Sequence, residues 1–142
     1  MIHERLYIEK YDWVADCFFE VRGVDDASHI LSLLQAIGTS RSVYQRARRH
    51  LMSGKRDTGF TFSSYSIRES VVIIGETSSH EEALNTFSHE LRHLADDIMK
   101  ASDMPLHGEP AAYLTGDIAM ALFTSVVKVI CGCKECSEKV SE

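Results

Sequence analysis

A long helical stretch with a sharp start and a sharp stop constrains this chain more than any other feature. Thr77-Ser78-Ser79-His80-Glu81-Glu82 opens it. Ser79 with Glu82, or Ser78 with Glu81, has the spacing of a capping box, in which a hydroxyl and a carboxylate satisfy the first unpaired amides. Ser102-Asp103-Met104-Pro105 closes it near Ala101, because proline brings no amide proton and clashes with the preceding turn. In between, Phe87, Leu91, Leu94 and Ile98 recur at spacings of four, three and four. That is the apolar stripe of a helix packed on a core by one face. The rest of the chain has to supply the surface it packs on.

Strand patterns supply that surface. Val71-Val72-Ile73-Ile74, ended by Gly75, is apolar on consecutive positions, which predicts a strand covered on both faces. A partner strand starts at Gly59 and carries Phe60 and Phe62, with Ser63, Ser64 and Ser66 around the turn between the two. Residues 6–21 mix aromatic and β-branched side chains and break near Tyr11-Asp12, which predicts a hairpin. Gly23 to Asp26 reads as a turn, with Asp26 or Ser28 as a cap. A short helix then runs over 29–37, with Ile30, Leu33, Leu34 and Ile37 on one face and Gly38 at its end. A second helix is expected over 40–52. The last helix starts at Gly108-Glu109-Pro110 and continues to about Ile130, since proline suits a first helical turn. The expected fold class is α+β: a small mixed or antiparallel sheet of four or five strands, a motif helix, and a second helix after it. The domain spans 1–130, and 131–142 form a polar, cysteine-containing tail.

Composition narrows the classes. With 142 residues, 44% hydrophobic and 25% charged, the chain has an ordinary globular composition. The 15 basic and 21 acidic residues leave a formal charge of -6, which argues against nucleic-acid binding through bulk charge. Residues 41–56 run against that balance, with six Lys/Arg and no acid. This window reads as a solvated helix face, with a nucleic-acid contact as the competing reading. The start, Met1-Ile2-His3-Glu4-Arg5, has no apolar signal region. Asp117 and Lys128 interrupt the most apolar stretch, 111–130, so no membrane span is expected. A cytoplasmic location is the expectation. Four cysteines are too few for a disulfide framework. Cys131, Cys133 and Cys136 read as reduced thiols, with a second metal site as the alternative.

The chemistry lies in His89-Glu90-Leu91-Arg92-His93. At about 3.6 residues per turn, residues i and i+4 share a helix face, so two imidazoles can grip one metal ion. The spacing is that of zinc sites in which the intervening Glu accepts a proton during hydrolysis. The apolar stripe leaves His89 and His93 displaced toward a cleft edge. A catalytic zinc needs a third protein ligand. The metzincin continuation fails, since Asp96 and Met99 stand where its Gly and third His belong. Glu109 and His107 remain as candidates. Asp96 and Asp97 follow His93 at i+3 and i+4, where either could receive the free ring N–H of a ligating histidine. Arg92 is expected to face solvent or pair with Asp96. Tyr113, four residues after Glu109, is a candidate oxyanion donor. The plainer alternative is a tyrosine packed in the core with its hydroxyl at the rim. His3, His29, His50 and His80 read as structural or surface residues.

His89-Glu90-Leu91-Arg92-His93, a break, then Gly108-Glu109-Pro110-Ala111-Ala112-Tyr113-Leu114 resembles a minimal gluzincin. Gluzincins are zinc metallopeptidases whose third ligand is a Glu on the helix after the motif helix. Residues 60–130 are similar to uncharacterised small metallopeptidase-like proteins of bacteria and their phages. The resemblance implies one Zn²⁺ held by His89, His93 and Glu109, Glu90 as general base, and a peptide or protein substrate lying along an edge strand from the 60–75 region. The His93–Glu109 spacing is shorter than in large gluzincins, and Pro110 places Glu109 at the helix start, so His107 stays open as the third ligand. A metal-binding interaction module on the same scaffold, with little or no hydrolysis, is the alternative function.

Overall fold

The computed structural model describes residues 1–131. It is an α+β fold built on one mixed sheet of four strands in the order β1-β2-β4-β3. β1 (Ile2–Ile8) and β2 (Trp13–Val21) form the expected antiparallel hairpin, joined by a single 3₁₀ turn over Glu9–Tyr11. The chain then crosses over through α1 (Gly23–Ala36) and α2 (Arg41–Met52). It returns as the hairpin β3 (Gly59–Ser64) and β4 (Glu69–Gly75), with β4 parallel to β2. α3 (His80–Ala101), α4 (Glu109–Ala121) and α5 (Phe123–Ile130) follow.

Alternation along the central strands creates two cores. Phe18, Val71 and Ile73 face α1 and α2, where they meet Ile30, Leu34 and Ala47. Trp13, Ala15, Phe19, Val72 and Ile74 face the other way and meet Leu91, Leu94 and Ile98 of α3 with Leu114 and Ile118 of α4. Val71 to Ile74 are all buried, as their consecutive apolar pattern requires. The α3 stripe is buried too, from Phe87 at 8% exposed to Ile98 at 0%. The hydroxyl of Ser79 accepts the Glu82 amide at 3.1 Å, which fixes the start of α3 where the capping pattern puts it.

Three boundaries differ from expectation. β1 begins at Ile2, four residues before the expected start of the hairpin at Leu6. The segment 23–26 is helical, not a turn. α1 begins at Gly23, whose φ of +72° lets the strand turn directly into helix. Asp26 accepts the Arg22 amide at 2.8 Å from inside the first turns instead of standing before them. The helix expected over 109–130 is two helices, bent by 65°. No glycine or proline marks the break. Leu122 is buried to 2% exposure and ends α4, and Val126 and Val129 of α5 pack back on the α3 core. Ser125 of α5 donates to the Glu4 carboxylate of β1. Among the described residues no single helix is long and apolar enough to cross a membrane.

Of the cysteine cluster, Cys133 and Cys136 lie outside the described residues. Cys17 is a core thiol on β2, 1% exposed, and burial pushes its pKa well up. It is a packing residue rather than a ligand.

Candidate metal centre

β3 is an edge strand, so its outer backbone groups have no sheet partner. The basic helix α2 lies to one side of it and the motif helix α3 to the other. The strand alternates Gly59-Phe60-Thr61-Phe62-Ser63. Phe60 and Phe62 pack toward the α1–α2 core. Thr61 and Ser63 reach α3, through hydrogen bonds to Glu90 and Asp97. The result is an open cleft of about 350 Å³ lined by Arg46, Phe60, Thr61, His89, Glu90 and His93, among others. A second cleft shares Gly59, His89 and Glu90 with it and extends toward His50 and Asp57.

The two motif histidines converge. His89 Nε2 and His93 Nε2 stand 3.1 Å apart, with their rings 4.8 Å apart edge to face. Two nitrogens of a tetrahedral zinc at bonds of 2.0–2.1 Å are separated by about 3.3 Å. The pair therefore fits a shared ion with a small movement of two exposed side chains.

Glu90 takes the opposite environment. It is 4% exposed, and its Oε2 accepts the Thr61 hydroxyl at 2.6 Å. Gly59 explains how a carboxylate fits against a strand. A Cβ there would stand 2.5 Å from Glu90 Cγ and 2.8 Å from Oε1. Glycine is needed for close approach, and it keeps the space before Oε1 clear. Gly59→Ala is expected to displace the Glu90 side chain and to cost about 1–3 kcal/mol of stability through overpacking. Urea unfolding against wild type measures it, and an unchanged midpoint would refute the contact.

Asp97 is held by a polarised chain through the sheet. Ser63 Oγ lies 2.6 Å from Asp97 Oδ2. A carboxylate only accepts, so the single Ser63 proton points there. Ser70, 2.6 Å from Ser63 Oγ, must then donate to Ser63, and it accepts from Trp13 Nε1 at 2.8 Å. Tyr65 adds a donor to Asp97 Oδ1 at 3.5 Å. Partial burial, Asp97's charge and this hydrogen bond raise the Tyr65 pKa, so the phenol stays protonated. Asp96 is engaged elsewhere, by Arg92 at 2.9 Å. Neither aspartate takes a histidine N–H here: Asp97 is bound to β3 and the turn after it, and Asp96 to Arg92.

The α4 residues stand apart. Glu109 is exposed as the first residue of α4, after Gly108 turns the chain at φ +88°. His107 is exposed before it. Tyr113 is 65% exposed, so it is not a core tyrosine. None of the three lines the cleft that holds His89 and His93. Among the described residues no three His, Cys, Asp or Glu side chains are gathered as a metal-holding group. What does connect α4 to the pair is Arg92. It lies between the histidines in sequence and donates to the Leu106 carbonyl at 3.0 Å, which anchors the loop that leads into Glu109.

Gly59, Thr61, Arg46 and His50 were not singled out as site residues by sequence reading. The alternation of small polar with aromatic residues over 59–63 was the available signal for the first two. His50 sits at i+4 from Arg46 on α2 and lines the extended cleft. Burial lowers its pKa, and the nearby Glu90 partly opposes that. The folded state thus binds this proton less well than the unfolded chain, whose value is 6.5. The stability that depends on neutral His50 is present above that pH and is lost as pH falls below it. From neutral to acidic pH the urea midpoint should drop more for wild type than for His50→Gln; equal drops would contradict the assignment.

Comparison of the chain with protein-family models, with curated proteins and with solved structures finds no match.

Proposed function

We propose that this chain is a zinc-dependent peptidase. The convergence of the His89 and His93 Nε2 atoms to 3.1 Å, beside a buried Glu90 and an open edge strand, carries the reading. His89 and His93 would hold the ion, with Glu109 as third ligand. Zn²⁺ bound there would supply a Lewis acid that polarises a carbonyl and acidifies water. The residues of the chain do the rest. Thr61 fixes Oε2 of Glu90, leaving Oε1 to accept a proton from the attacking water and pass it to the departing amine. The outer edge of β3 offers backbone groups to an extended peptide.

Support for Glu109 comes from the Arg92–Leu106 anchor, because three residues of chain reach about 10 Å. Asp97 lines the same cleft as His93 and is the competing carboxylate. Zinc lost from Glu109→Gln but retained by Asp97→Asn assigns the ligand to Glu109, and the reverse assigns it to Asp97. The second function, a metal-binding interaction module, draws on the exposure of Tyr113 away from the cleft, which leaves the site without that phenol as an oxyanion donor.

Chelation tests the main reading. Hydrolysis of a quenched fluorescent peptide library should vanish on treatment with chelator and return with about one equivalent of Zn²⁺ per chain. Full activity in chelator would overturn the zinc mechanism, and no hydrolysis by the zinc-loaded protein would favour the module.

A further inference from the structure

We infer that the cleft selects acidic peptides, and that Arg46 on α2 captures a substrate carboxylate beside the reacting bond. The inference rests on the peptidase reading for its position, and on charge pairing for its chemistry. The chain has nine arginines, all among the described residues. Arg5, Arg22, Arg56 and Arg92 are within ion-pair distance of carboxylates, and Arg68 donates to backbone carbonyls of Tyr11 and Asp12. Among the described residues, the four arginines with neither an ion pair nor a side-chain hydrogen bond are Arg41, Arg46, Arg48 and Arg49, and all four lie on α2.

Only one of these four, Arg46, lines the cleft with His89, Glu90 and His93. A chain with a net charge of -6 has many acids with which to neutralise an arginine, yet residues 41–56 contain none. The acids already in the cleft are engaged: Glu90 by Thr61, and Asp97 by Ser63 and Tyr65. They leave the guanidinium to an incoming group. Arginine presents a planar fork of donors that matches a carboxylate with two parallel hydrogen bonds. Arg46 and His50 lie on one face of α2, and both border β3 across from α3. A peptide along the edge strand therefore passes Arg46 near the histidine pair, which places the selected carboxylate within a few residues of the cleavage point.

A peptide carboxylate is favoured over a nucleic-acid phosphate because the acidic residues outside the α2 window number 21 against nine basic. A polyanion that spreads beyond the cleft would meet that charge, whereas a short peptide would not.

The test uses the zinc-loaded full chain and quenched fluorescent octapeptides carrying Glu, Ala or Lys at each position, as free acids and as C-terminal amides. A parallel arm measures binding of the fluorescein-labelled Glu and Lys peptides to metal-free protein. Wild type should prefer Glu peptides. Arg46→Ala should lower kcat/KM for them about tenfold, mostly through KM, and Arg46→Glu should shift preference toward Lys. Lys100→Glu, the same charge change at the far end of α3, should leave the preference intact. A preference confined to free acids identifies the terminal carboxylate as the group captured; one that persists in the amides identifies a side chain. Peptides cleaved without acidic preference, or with a preference that survives Arg46→Glu, would overturn the inference and leave the peptidase intact. Arg46-dependent binding of Glu peptides without any cleavage would sustain the carboxylate site and sink the peptidase. Displacement of the Glu peptide by a 20-mer of single-stranded RNA at lower concentration, with steep salt dependence, would overturn it in favour of nucleic acid.

Discussion

Glu90→Gln is expected to lower peptide hydrolysis by about 10²–10⁴-fold while zinc content stays at its wild-type level. Gln keeps the shape of Glu but cannot take a proton at neutral pH. The substitution is structurally mild for a side chain only 4% exposed. The Thr61 hydroxyl, which donates to Oε2 at 2.6 Å, can donate equally well to an amide oxygen. The amide NH₂ takes the place of Oε1, on the side where Gly59 carries no Cβ to crowd it. Fold and metal should therefore survive and only proton transfer should be lost. Steady-state kinetics beside elemental analysis decides the matter. A variant that keeps more than half its activity would remove Glu90 from the role of general base.

His89→Ala has the second large effect, and it falls on the metal. Zinc in protein purified without chelator or metal-affinity resin should drop from about one per chain to below a tenth, since one imidazole with one carboxylate is a poor zinc site. Both His89 and His93 are exposed, so the metal-free variant should unfold within about 0.5 kcal/mol of metal-free wild type. That separates loss of a ligand from loss of the fold. A Cys131/Cys133/Cys136 triple Ser variant should keep its zinc. The opposite pattern, zinc indifferent to His89 but lost with the cysteines, would move the metal to the tail and end the peptidase reading.

The motif could be read from the chain because its geometry is local. Four residues of helix place His93 over His89 in any fold. The capping hydroxyl at Ser79 and the stripe from Phe87 to Ile98 are local in the same sense, and α3 follows them. The β3–β4 hairpin followed from its strand and turn residues. By contrast, nothing in 109–130 announced the break at Leu122. There the helix bends because Leu122, Val126 and Val129 belong to a core whose other members come from β2, β4 and α3. At Gly23 the sequence misled, since a residue that suits a turn also suits a strand running straight into a helix.

The amino-acid sequence by itself determined the helix face that carries His89 and His93, the α+β class and the order of the elements as far as α4, since each arises from side chains within a few residues of one another. Only the tertiary structure decided what faces that helix. It put β3 at the sheet edge, set Thr61 and Gly59 against Glu90, and brought Arg46 of α2 into the same cleft. Those contacts join positions about thirty or more residues apart. They exist because the two faces of one sheet bury different helices, a consequence of global packing that no local pattern encodes.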